Sequence, residues 1–178
     1  MKQGIHLVSD VEELARLRQL TIGQSDFQVD PAALAVDSKD ERSMNLGFYE
    51  QGKLVAAMRF YPVFDRDELE RQLDFQNAQQ VPVQFPGVVV GKAGSLPEAR
   101  GKGHIRALLL HGLKFYQTLD MKFAALTTKP SNRLNDYIEG LGFTKCRNPA
   151  GWHRFGYNSG GETFVFLKSF DLKLLCGS

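Results

Sequence analysis

No apolar run in the sequence approaches the length of a bilayer span, so no membrane partner is expected. The formal net charge is only +2, which gives bulk nucleic-acid binding no support. Only two cysteines occur, Cys146 and Cys176, far apart and without metal-ligand spacing, so no metal site is expected. Two thiols without a leader-like N-terminal segment lead to the expectation of a reducing cytoplasm. No internal repeat and no low-complexity stretch is visible. The chain is 43% hydrophobic and 24% charged, which is ordinary for a folded globular protein. Its 178 residues suit a single domain, 1–178, with one core.

One stretch organises what is present. Residues 95–110 read SLPEARGKGHIRALLL. The apolar run Val88, Val89, Val90 leads into it as a strand. The basic turn Arg100, Gly101, Lys102, Gly103 follows. Then Ile105, Leu108, Leu109, Leu113 and Tyr116 fall at helical spacing. A strand, a glycine turn and a helix in that order present unsatisfied N–H groups at a helix N-terminus, where an anion binds. Gly101 and Gly103 let the anion approach the backbone. Arg100, Lys102 and Arg106 form a cluster sized for one anionic ligand. The stretch is not a P-loop, because the G-x-x-x-x-G-K-[ST] spacing is absent. Nor is it the dinucleotide fingerprint, which would need glycine at Arg106.

Around this stretch the chain alternates strands and helices. A first strand is expected near residues 4–8. Ser9-Asp10-Val11-Glu12 matches a capping box with Ser9 as cap, opening a helix with Val11, Leu14, Leu17 and Leu20 on one face. A short helix is expected at 31–36. Residues 44–50 and 53–61 flank Gln51-Gly52 as a hairpin. Residues 65–79 read as a helix anchored by Leu69, Leu73 and Phe75, within an insertion at about 64–86 that is longer than most connections. Residues 86–95 form the next strand, where Gly94 marks a bulge or the close approach of another backbone. A buried strand at 122–128 and a helix at 131–141 follow, with Ser131 as cap and Gly142 as stop. Residues 143–157 and 163–169 flank a glycine-rich turn and read as a closing hairpin. Trp152, Phe155, Phe164 and Phe166 are expected in the core.

The stretch from Leu96 to Gly103 resembles the acetyl-coenzyme A pyrophosphate loop of the GNAT N-acetyltransferases, Q/R-x-x-G-x-G/A. Arg100 and Gly103 fill its first two slots, and Ile105 departs from the third. Downstream, Tyr137-Ile138-Glu139-Gly140-Leu141-Gly142-Phe143 is similar to the family's L-Y-E-K-L-G-F. The resemblance implies an α/β fold, a mixed twisted sheet of about six or seven strands with helices on both faces. The strands at 86–95 and 122–128 should then be parallel neighbours. It also implies transfer of an acetyl or acyl group from acetyl-coenzyme A directly to an amine on a small molecule or peptide, with no metal. Ala93, Gly94 and Ser95 take the place of the segment that pairs with the pantetheine arm. Arg100, Gly101, Lys102, Gly103, His104 and Ile105 take that of the pyrophosphate loop. Ser131, with Asn132 beside it, falls where many members have a cofactor-contacting asparagine.

The family's leaving-group acid is a tyrosine four residues before the glycine of G-F. That place is Ile138 here, and Tyr137 stands one residue earlier, which turns a helix by about 100°. Tyr137 is therefore the candidate acid only if the helix departs from regularity. No general base stands out. The strand before the loop carries no Glu or Asp, and Glu50 and Asp65 qualify by position alone. Residues 37–59, an acidic run, a hairpin and then Arg59, resemble the N-acyl amino acid and acylhomoserine lactone synthase branch, which uses longer acyl chains. A coenzyme A-binding module without catalysis stays open, as does a homodimer.

Overall fold

The computed structural model describes residues 1–22, 28–29, 36–73, 83–128, 132–148, 157–158 and 163–170. Among them a seven-stranded mixed sheet runs in the order β1-β3-β4-β5-β6-β9-β7. Its strands are β1 (Gly4–Leu7), β3 (Met44–Glu50), β4 (Lys53–Val63), β5 (Gly87–Ser95), β6 (Phe123–Thr128), β9 (Thr163–Ser169) and β7 (Thr144–Asn148). A separate ladder joins β2 (Gln28–Val29) to β8 (Tyr157–Asn158). The helices are α1 (Val11–Thr21), α2 (Ser38–Glu41), α3 (Arg66–Leu73), α4 (His104–Thr118) and α5 (Asn132–Gly140). The two strands expected to be neighbours, β5 and β6, are adjacent in the sheet.

The chain divides into two compact units. The first comprises residues 1–61, 90–115 and 155–157. In it β3 and β4 form the hairpin that Gln51-Gly52 announces, with Met44 opposite Phe60 and Glu50 opposite Lys53. Gln51 and Gly52 both take positive φ, as a tight hairpin turn with the strands' own twist requires. Leu14, Leu17, Tyr49, Leu54, Val55, Ala57, Leu96 and Ala99 pack into one apolar cluster. Gly112 of α4 lies directly against the Phe60 ring, where any side chain would collide, so the helix sits close on the sheet.

Helix α1 departs from the sequence reading in two respects. Its cap is Asp10 rather than Ser9, and the Asp10 carboxylate accepts the Glu12 and Glu13 N–H groups at 3.0 Å each. An ionised acceptor at the positive end of a helix is the better cap. Its buried stripe is Leu14, Leu17, Arg18 and Thr21, while Val11 and Leu20 are exposed. The spacing is still helical, but the face is rotated towards the buried Arg18.

The second unit comprises residues 62–89, 116–154 and 158–178. In it β9 pairs antiparallel with both β6 and β7, placing Phe166 opposite Leu126 and Lys145. The described partner of β9 in the closing hairpin is β7, and residues 149–156 of the expected strand lie outside the described residues. Ala124, Ala125, Val165 and Phe166 are buried in this unit. Helix α3 falls in the expected insertion and buries Leu69 and Leu73. Gly142 takes φ 83 just after α5, the left-handed stop that the sequence announces. Phe75, Ser131, Trp152, Phe155 and residues 31–35 of the helix expected at 31–36 lie outside the described residues.

Candidate functional site

The glycine turn has the conformation that its composition predicts. A 3-10 turn over Pro97–Ala99 leaves β5, and α4 opens at His104. Gly101 and Gly103 take φ 78 and 83, and none of the described residues lies within 4 Å of the space a Cβ would occupy at either. A residue with a side chain adopts that region only at a cost, so glycine is needed for conformation and not for packing. The surface in front of the turn is open, and Gly101, Lys102 and Gly103 are all exposed. The first backbone bond of α4 runs from Ala107 N–H to Gly103 O at 3.0 Å. The N–H groups before it point out of the helix end, as in any α-helix.

Two side chains of the turn are held by one carboxylate. Lys102 Nζ donates to both oxygens of Glu50, at 3.2 and 3.0 Å. His104 Nε2 lies 2.9 Å from Glu50 Oε1, and its ring stacks on Phe48 at 4.0 Å. The Lys102 hydrogen bond, with help from His104, draws the Glu50 carboxyl below its ordinary pKa. Glu50, which the sequence offers as a base by position only, is thus an anchor for the turn.

Strand β5 carries a second feature. Lys92 has φ 45 inside the strand. A left-handed residue interrupts the pleat there, two positions before Gly94, which the sequence marks as a bulge or the close approach of another backbone. Gly94 has another purpose. It admits the Thr21 side chain of α1, which a Cβ at Gly94 would overlap. Ala93 beside it is exposed, and Arg100 Nε reaches back to Ser95 O at 3.4 Å.

Lys92 belongs to a charged cluster that the sequence does not announce. Arg18 NH1 and NH2 donate to the two oxygens of Asp40 at 2.8 and 2.7 Å. NH2 also reaches Asn45 Oδ1 at 3.1 Å. Arg18 is 1% exposed, and its Nε is buried without a hydrogen-bond partner among the described residues. This pairing turns α1 so that Arg18 faces inward. Asp37 caps α2, accepting the Lys39 and Asp40 N–H groups. It also accepts from Arg59 NH1 at 3.3 Å and from Lys92 Nζ at 3.2 Å. The Asp37 side chain is 41% exposed, so the cluster opens to solvent at that carboxylate. Burial alone would raise the Asp40 pKa. The Arg18 hydrogen bonds, the Asp37 N–H and the Arg18 and Arg59 charges outweigh it and hold the carboxyl well below the usual carboxylate range. Lys92 goes the opposite way: burial, then Arg59 and Arg18, push its pKa down to about 8 against the pull of Asp37 and Asp40.

Helix α5 holds the last predicted residue. Ile138 and Asn135 are buried, and Asn135 Oδ1 accepts from Thr128 Oγ1 at 3.2 Å. Tyr137 is 38% exposed. The helix is continuous from Asn132 to Gly140, so the one-residue offset is not absorbed by an irregularity. Asn132 is the first residue of α5. Among the described residues no group of three His, Cys, Asp or Glu could hold a metal ion, and no helix is long and apolar enough to cross a membrane.

Comparison of this architecture with solved structures returns acyltransferases. The ribosomal-protein-S18-alanine N-acetyltransferase of Escherichia coli superposes with TM-score 0.67 at 17% identity, covering 94% of each chain. The fold is that of the GNAT acyltransferases. FeeM, an N-acyl amino acid synthase from uncultured soil microbes, superposes with TM-score 0.69 at 11% identity, over 94% of this chain and 91% of its own. A Bacillus subtilis acetyltransferase in complex with CoA gives 0.65 at 13% identity, over 96% of this chain and 100% of the other. A fourth matching structure is of a longer chain, of which this one spans 33%. No protein-family model and no curated protein matches the sequence. At these identities it is the GNAT fold that is shared, and within it the glycine turn and β5 carry the residues that the sequence singled out.

Proposed function

We propose that the chain is an N-acyltransferase that moves an acetyl or acyl group from a coenzyme A thioester directly to an amine. The observation that carries the reading is the turn at Arg100–Ile105, open in front, with two positive-φ glycines at the start of a 15-residue helix in a GNAT fold. Its N–H groups and Lys102 suit a diphosphate. Ala93, Gly94 and Ser95 would carry the pantetheine arm, and the coenzyme supplies the activated acyl group. The GNAT neighbour with bound CoA supports this choice of donor. Binding calls for Lys102 to exchange part of its Glu50 contact for phosphate, so affinity should fall steeply with salt. The chain would work in the cytoplasm on a small-molecule or peptide amine.

A second reading stands on the charged cluster. Asp37, Asp40 and Arg59 come from the run that resembles the N-acyl amino acid and acylhomoserine lactone synthases, and FeeM is among the structural neighbours. In that reading the donor carries a longer chain and the acceptor is an amino acid.

Thiol release from acetyl- and longer acyl-coenzyme A thioesters, measured against a panel of amines, tests both. Amine-dependent release is expected, and the chain-length preference divides the two readings. Tight coenzyme A binding with no release under any combination would make the chain a binding module instead. The Tyr137→Phe variant should keep turnover within about threefold, because a regular α5 leaves that residue on an exposed face. A loss of about 100-fold or more with coenzyme A affinity intact would restore it as the leaving-group acid.

A further inference from the structure

Lys92 carries two costs at one residue. Its backbone is left-handed inside a strand, at φ 45, which a residue bearing a side chain tolerates only when its surroundings enforce it. Its side chain is 7% exposed, with Nζ 3.2 Å from Asp37 Oδ2 and 3.8 Å from Asp40 Oδ2. Charged groups reach it from every described element packed on that side: Arg18 from α1, Asp37 and Asp40 from α2 and its cap, and Arg59 from β4. The two carboxylates do not compensate for burial and the two guanidinium groups, and the ammonium form is disfavoured there, with the pKa pushed down to about 8. Glycine would remove the first cost and methionine the second. A lysine that keeps both is a mark of function rather than of packing.

We infer that Lys92 is the proton acceptor for the amine that receives the acyl group, with Asp37 as its link to solvent. The inference rests on the acyl-transfer reading and supplies the base that does not stand out in the sequence. Lys92 directly precedes Ala93, the start of the segment assigned to the pantetheine arm. The acceptor nitrogen bonds to the thioester carbonyl carbon, the C–S bond breaks, and coenzyme A leaves as the thiolate. The surplus proton on nitrogen passes to the lone pair of neutral Lys92 Nζ. Asp37 stabilises the new ammonium, which then returns its proton to the thiolate or to water through the half-exposed carboxylate.

The test is the pH dependence of kcat/KM, with an acceptor whose own amine pKa lies well below neutrality, so that only the enzyme titrates. The wild-type rate should rise through an apparent pKa near 8 and then level off. Lys92→Arg keeps the positive charge and cannot give up a proton. It should lose about 10²–10³-fold in kcat with no recovery at high pH, while the affinity for coenzyme A stays within about threefold. A Lys92→Arg variant that retains turnover would show that charge alone matters and overturn the inference. So would a wild-type profile that is flat across that range, a measurement that needs no variant to fold. If the wild type releases no thiol at any pH, the acyl-transfer reading fails, and this inference fails with it.

Discussion

Replacing Gly103 by valine should lower the affinity for acetyl-coenzyme A by about 100-fold or more while leaving the protein folded. Gly103 sits at φ 83, where a β-branched residue is a genuine outlier. None of the described residues stands within 4 Å of the added Cβ, so the valine meets no clash among them that would disturb the core. Its backbone must leave the left-handed region, and the N–H groups of the turn then swing away from a shared focus. The local strain is about 1–3 kcal/mol, which a folded domain survives. The loss of a preorganised set of donors falls on the ligand. Titration calorimetry beside a thermal melt reads both quantities. An unchanged dissociation constant in a folded Gly103→Val protein would remove the turn from the binding site.

Asp40→Asn should destabilise the fold by about 3–5 kcal/mol, because it strands a buried arginine charge. Arg18 and Asp40 side chains are 2% and 3% exposed, paired through two guanidinium nitrogens. Lys92 and Arg59 also face that carboxylate, so the amide would leave three cations sharing Asp37 among the described groups of the cluster. The same pairing fixes an acid limit. The folded-state pKa of Asp40 lies below its unfolded value. On acidification the unfolded chain therefore takes up the proton first. Stability from this group is complete above about pH 5 and is lost as the pH falls through the unfolded pKa, about 3.9, towards the folded one. Urea unfolding at several pH values should show this slope in the wild type and a shallower one in Asp40→Asn. A loss below about 1 kcal/mol would mean that the cluster is solvated and contributes little.

Features legible in the sequence were those written in consecutive residues. The β3–β4 hairpin follows from Gln51-Gly52 between two apolar runs, and the turn from Arg100-Gly101-Lys102-Gly103 before a helical stripe. Adjacency of β5 and β6 followed from the family resemblance. The cluster of Arg18, Asp37, Asp40, Arg59 and Lys92 was hidden because its partners are 22 and 55 residues apart in the bonds that matter most. One signal was available: Arg59 and Lys92 are lone cations inside otherwise apolar runs, and a charge is buried only with a partner. Reading α1 by its leucines alone rotated its face for the same reason, since Arg18 belongs to the buried stripe. Ser9 and Asp10 both suit the cap position, and the ionised Asp10 carboxylate is the one that takes the Glu12 and Glu13 N–H groups. The Lys92 kink left no trace in composition. Glycine usually advertises such a site, and here Gly94 drew the attention while accommodating Thr21.

The most direct test of the central claim is a crystal structure with coenzyme A bound. Its diphosphate oxygens should lie about 3 Å from backbone N–H groups between Gly101 and Ile105, with Lys102 turned from Glu50 towards them. A coenzyme bound with its diphosphate elsewhere, and the glycine turn unchanged and facing solvent, would contradict it.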